Sequence, residues 1–283
     1  MGATPKWGVA SLDFTRLALY GRPPRRAEDM KLDPTSLAMT CLLASMTAIG
    51  PLTTDTYVAS LPQIARAFEA STASVQATVT CYLLGFAAGQ VIYGPLSDRF
   101  GRRPLVLIGL TLYVLASIAC MFSTSVGMLI AARIAQALGG AGPIILTRAM
   151  VRDNHEGAQA SRQFAIMSMI MGISPIGMPI VGGYMQARFG WQASFAVMIA
   201  VAGTILAFVF FVLPETNARR SQDPISLRSI FGSFAIVAKN RAYLSILGVQ
   251  MCSYNGLFAF VSSASVVLQV TYGLRSEEHT SEL

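Results

Sequence analysis

Polar residues are spread unevenly along this chain. Long apolar runs are separated by short polar linkers, at Leu37–Leu61, Thr72–Leu96, Leu105–Phe122, Val126–Met150, Phe164–Met185, Trp191–Leu213 and Tyr243–Val270. Each run is close to the roughly 20 residues needed to cross a hydrocarbon core. Backbone polar groups at that depth have no water to bond, so a crossing segment is a helix or part of a closed barrel. The runs lack strand alternation, and the pattern predicts helices. The linkers are short except residues 214–242, which are polar, basic and punctuated by Pro214 and Pro224. The prediction is an all-α polytopic membrane protein. It has a polar tail at 1–36, a six-helix bundle at 37–213, a central loop at 214–242 and a seventh helix within 243–274.

Composition agrees. Hydrophobic residues make up 53% of the 283 and charged ones 12%, and the mean hydropathy is +0.54. Soluble domains carry about a quarter charged residues. The net charge of +7 would raise nucleic acid as a partner for a soluble protein. Here most Lys and Arg sit in the tail, in the second-to-third and fourth-to-fifth linkers and in the central loop. Only Arg66 and Arg188 lie in the opposite linkers. By the positive-inside rule the N-terminus is expected in the cytoplasm, with the lipid bilayer as partner and no nucleic acid. Cys41, Cys81, Cys120 and Cys252 fall in four different runs and read as small buried hydrophobes. His155 and His279 are isolated, so no metal site, cofactor or catalytic centre is expected.

The ends carry their own expectations. The tail is too interrupted by Asp13 and Arg16 for a signal peptide, and Met30 is a possible alternative start. Arg275–Leu283 is polar and resembles a translated vector scar. It is read as foreign to the fold, in a chain expected to continue naturally through further spans and to be transport-incompetent as it stands.

Three motifs carry chemistry. The first is Gly94-Pro-Leu-Ser-Asp-Arg-Phe-Gly-Arg-Arg-Pro104, placed in the turn between spans two and three. Gly94 and Gly101 are expected to allow tight turns, Asp98 to cap the next helix, and Arg99, Arg102 and Arg103 to hold the loop inside. The second is Arg133-Ile-Ala-Gln-Ala-Leu-Gly-Gly-Ala-Gly-Pro143, with an arginine inside a span. Such a residue is costly and reads as functional, or else as an arginine snorkelling to the outer interface. The third is Gly172-Ile-Ser-Pro-Ile-Gly-Met-Pro-Ile-Val-Gly-Gly183, with Gly172, Pro175, Gly177, Pro179, Gly182 and Gly183. Its small residues permit close helix approach, and plain packing is the other reading.

Together these stretches resemble the signature loop, the fourth-helix motif and the antiporter motif of the major facilitator superfamily. Gly50-Pro-Leu-Thr-Thr-Asp-Thr-Tyr-Val-Ala-Ser-Leu-Pro62 and Leu268-Gln-Val-Thr-Tyr-Gly-Leu274 are similar to its bicyclomycin-resistance (Bcr/CflA) branch of drug:proton antiporters. The third motif has Gly-Met-Pro where the family pattern has Gly-Pro. Thr56 and Ala59 stand where the branch has Met and Pro. The resemblance covers residues 36–274. It implies a monomeric multi-pass protein of the bacterial inner membrane that exports small drugs against protons. Solute import by the same fold is the alternative. A seven-helix receptor is less compatible, because the N-terminus is expected inside.

Asp55 and Arg133 are each about six residues from the outer end of their spans, so they are expected at matched depth. They are the expected proton-coupling pair; a static ion pair is the other reading. Tyr57, Tyr82, Gln136, Met171 and Asn255 are candidates for a substrate cavity, with Gln90 and Tyr254 beside them. Met167, Met169, Met171 and Met178 would supply an adaptable lining or mere filler.

Overall fold

The computed structural model describes residues 32, 33, 36–58, 60–217, 232, 238–253, 255 and 256. The chain divides into two units, Met1–Gln222 and Asp223–Leu283. Among the described residues of the first unit there is one short helix among six long ones. They are α1 (Leu37–Val58), α2 (Leu61–Ala67), α3 (Thr72–Phe100), α4 (Arg102–Met121), α5 (Val126–Asn154), α6 (Gly157–Phe189) and α7 (Gln192–Val212).

Their starts follow from local chemistry. Ser36, Ser71 and Ser125 precede α1, α3 and α5, and each hydroxyl accepts from the backbone N–H three residues on. That satisfies one of the orphan donors of a first turn. The first apolar run was expected as one helix to Leu61. It stops at Val58, and a separate helix begins at Leu61 with Pro62 in its first turn. Proline has no N–H to continue the preceding ladder but fits a first turn.

Other boundaries move outward. α3 was expected to end at Leu96 and α5 at Met150, yet they run to Phe100 and Asn154. α6 begins at Gly157, before the expected Phe164. These extra turns are polar, so hydropathy alone does not see them.

Five of the helices, α1, α3, α4, α5 and α7, are long and apolar enough to cross a membrane. α6 has the length, at 33 residues, but its glycines, serines and polar ends dilute its apolarity. Large apolar side chains such as Leu84, Ile108, Leu115 and Phe211 point outward, as expected where the surroundings are hydrocarbon. This is a multi-pass membrane protein.

α5 is central. It packs on α3, α4 and α1, while α4 also meets α7 and α1 meets α6 and α7. Small residues set these distances. A Cβ on Gly139 of α5 would lie 2.5 Å from the Tyr113 backbone nitrogen and 2.7 Å from the Gly109 carbonyl oxygen of α4. Only a glycine lets these backbones approach so closely.

In the second unit, residues 241–253 are helical, starting two residues before the expected seventh span. Most of that span, most of the N-terminal tail and all of Arg275–Leu283 lie outside the described residues.

Candidate functional site

Among the described residues the fully buried charge is Arg133, on α5. Its Nη1 donates to Gln136 Oε1 at 2.6 Å, one turn along the same helix. Gln136 Nε2 in turn donates to Ser117 Oγ of α4 at 2.7 Å and to Met198 Sδ of α7 at 3.5 Å. Two tyrosines flank the guanidinium, with the ring centroids of Tyr57 (α1) and Tyr82 (α3) at 4.2 and 4.1 Å from Cζ. Tyr57 hydroxyl shares a hydrogen bond with Thr78 Oγ1, and Tyr113 hydroxyl with Thr53 Oγ1, each at 2.6 Å. Arg133 Nε and Nη2 are buried with no hydrogen-bond partner among the described residues.

Asp55 is half-buried on α1. Its Oδ1 accepts from Thr54 Oγ1 at 3.0 Å, and its Oδ2 is buried with no partner among the described residues. Among the described residues no ion pair joins it to Arg133, and the salt bridges belong to Arg102. Matched depth does not bring the two groups into contact. Asp55 and Tyr57 lie two residues apart, about 200° around α1, and it is Tyr57 that faces Arg133.

The candidate cavity residues divide. Tyr57, Tyr82 and Gln136 are packed around Arg133 rather than lining an open space. Met171 and Met178 are half-buried, Met167 is buried and Met169 is exposed. Asn255 belongs to the second unit, where its Nδ2 donates to the Met251 carbonyl; Tyr254 lies outside the described residues. A cleft of about 350 Å³ lies elsewhere, lined by Val58, by Leu61, Pro62 and Ala65 of α2, and by Thr72, Val75 and Gln76 of α3.

The signature stretch builds a second polar cluster. Gly94 is helical, in the body of α3, and does not make a turn. Gly101 does, at φ 102°, where a side chain would be strained. Asp98 does not cap α4. It lies in the last turn of α3 and accepts from Arg102 Nη1 at 2.6 Å. Arg102 also bonds Ser97 Oγ, and its Nε donates to Asp153 Oδ2 at 3.1 Å, tying α4 to the end of α5. Arg103 Nη2 donates to the Phe210 carbonyl of α7 at 2.8 Å, while Arg99 is exposed beside the Phe100 ring.

The true cap of α4 comes from far along the chain. Glu215 accepts from the Arg102 and Arg103 backbone N–H groups at 2.9 and 3.3 Å. Asn217 Nδ2 donates to the Ser97 and Asp98 carbonyls that end α3, and Thr216 donates to Asp153 Oδ2. Sequence reasoning left these residues in the central loop. The signal was Leu213-Pro-Glu-Thr-Asn217, a helix stop followed by three polar side chains of capping type.

In the Gly/Pro motif of α6, Gly182 alone meets a crowded neighbour among the glycines. A Cβ there would lie 2.7 Å from the Thr56 carbonyl oxygen of α1, whereas one at Gly172, Gly177 or Gly183 would meet nothing within 4 Å among the described residues. Pro175 and Pro179 are within the helix, and their side chains lie outside the described residues.

The model of the Major Facilitator Superfamily matches residues 41–280. A bicyclomycin resistance protein homolog of Haemophilus influenzae is 33% identical over 232 residues, 82% of this chain and 58% of that protein. Multidrug resistance protein D of Escherichia coli is 27% identical over 238 residues, 83% of this chain and 59% of that protein. The chain thus spans somewhat over half the length of these relatives. Among solved structures, the human organic anion transporter MFSD10 aligns with a TM-score of 0.58 at 18% identity. The alignment covers 85% of this chain and 65% of that one. A peptide-transporter (POT) family structure aligns with a TM-score of 0.59 at 13% identity, over 85% and 53%. At these identities the structures speak for the fold.

Proposed function

The chain belongs to the major facilitator superfamily, and on that premise we propose that it serves proton-coupled export of small, largely apolar drugs across the bacterial inner membrane. The N-terminus and the α3–α4 turn lie on the cytoplasmic side in this reading. Transport proceeds by alternating access, in which two helical bundles rock about a site near the midplane. The resistance proteins among its relatives support a drug as the substrate.

The observation that carries the coupling is the half-satisfied carboxyl of Asp55. One oxygen has Thr54; the other is buried without a donor among the described residues. An unsatisfied buried acceptor costs about 1–3 kcal/mol, more when charged. A proton on that oxygen relieves the cost, and so does a donor group on an incoming drug. The two therefore compete for one atom, which is the requirement of an exchanger. Arg133 adds a fixed positive charge in the same bundle and disfavours a second cation nearby. The polar cluster of Arg102, Asp98, Asp153 and Glu215 stiffens the cytoplasmic end on which the bundle would pivot.

The test is drug uptake into inverted proteoliposomes under an imposed pH gradient, using the transporter that contains this sequence. Asp55→Asn carries its own N–H donor and cannot exchange a proton. It should still bind drug but lose gradient-driven accumulation. Uphill transport equal to the parent's would remove Asp55 from the coupling step.

A further inference from the structure

Arg133 is a buried cation with no carboxylate against it among the described residues. The groups in contact with it are Tyr57 from α1, Tyr82 from α3 and Gln136 on its own helix, backed by Ser117 of α4 and Met198 of α7. An isolated charge in a dry interior is expensive. What lies closest is the face of two aromatic rings, negative at the centre of each ring. Both centroids are nearer than the 6 Å limit of a cation–π contact, and both sites are desolvated, where such contacts are strongest.

The rings are themselves held in place. Tyr57 is anchored by Thr78 through its hydroxyl and packs at 5.7 Å from the Phe195 ring of α7. Tyr82 stacks on Phe86 one turn along α3. Rings from two helices thus close on one planar group carried by a third.

We propose that Tyr57 and Tyr82 are positioning residues of the coupling site, a π clamp that stands in for a counter-ion and holds the Arg133 guanidinium with its Nε–Nη2 edge unpaired. An arginine locked to a carboxylate has spent that edge. A clamped one keeps it for an acceptor oxygen, from the substrate or from Asp55 when the helices move. The planar fork suits such bidentate capture, and lysine has no equivalent. The role in transport rests on the coupling reading above; the clamp itself does not.

A fluorination series separates electrostatics from packing, because fluorine drains the ring face while changing its size little. Position 82 of the 283-residue chain is replaced in turn by phenylalanine and by its mono-, di- and trifluorinated forms; position 57 follows in a second series. Tyr82→Phe should keep the parent's melting temperature in detergent. Each added fluorine should lower it, by on the order of 4 °C across the series. Modification of Arg133 by a dicarbonyl reagent, read by mass spectrometry, should rise in step. A flat melting series overturns the clamp. In the transporter that contains this sequence, drug transport should fall along the same series; a melting slope with transport unchanged overturns the positioning role. The melting result does not depend on whether Asp55 carries the proton, which the Asp55→Asn assay decides alone.

Discussion

At the scale of single residues, the sequence reveals which side chains are costly but not which way they turn. An arginine inside an apolar run is conspicuous, and Arg133 is indeed fully buried. Its partner was not legible, because depth along a helix says nothing about rotation around it. The Gly/Pro motif of α6 shows the same limit. Gly182 and Gly183 are neighbours in sequence, yet only Gly182 faces α1, with Thr56 backbone where a Cβ would go. Ala at 182 must push two helices apart, and overpacking of that kind costs about 1–3 kcal/mol. Ala at 183 meets nothing within 4 Å in the described residues and gains helix propensity, worth up to about 1 kcal/mol. Gly182→Ala should therefore lower the melting temperature of the purified protein, and Gly183→Ala should hold or raise it. Equal losses at both positions would mean that α6 packs with a different face toward α1.

At the scale of elements, hydropathy located the long helices of the first unit but missed their polar ends. α3 outruns its apolar stretch by a turn because its last carbonyls find a donor in Asn217, and α4 starts at Arg102 because its first N–H groups find Glu215. These caps are supplied from more than a hundred residues away, so no local window contains them. The expected cap, Asp98, was the local choice, and it is instead engaged by Arg102. A carboxylate over two N–H groups at a helix start also meets the positive end of the helix dipole. Glu215→Ala should cost about 1–2 kcal/mol, read as a lower melting temperature. Glu215→Gln keeps an acceptor but not the charge, and should recover part of the loss. If Glu215→Ala melts with the parent, the strap from Pro214 to Asn217 contributes contacts without stability.

At the scale of the first unit, hydrogen bonds sort the helix ends into two groups. The end of α3, the start of α4, the end of α5 and the exit from α7 meet through Arg102, Asp153, Thr216 and Asn217. The opposite ends meet where Ser60, after α1, bonds Ser194 at the start of α7, and where Phe68 packs edge-on against Trp191. The first group carries Arg99, Arg102, Arg103, Arg148 and Arg152; the second has Arg66 and Arg188. Moving a lysine or arginine across the bilayer during insertion is unfavourable, and in the orientation proposed above the richer end is the cytoplasmic one. Thr124 lies just before α5, at the end remote from Arg99, and both positions are exposed. In a protein whose four native cysteines have been replaced, Thr124→Cys should react with a membrane-impermeant maleimide in intact spheroplasts. Arg99→Cys should react only after the membrane is opened. Arg99 is the better inside probe than Arg102 or Asn217, since those two are engaged in the cluster and a thiol there would be shielded whatever its side. Labelling of Arg99→Cys in sealed spheroplasts would invert the topology.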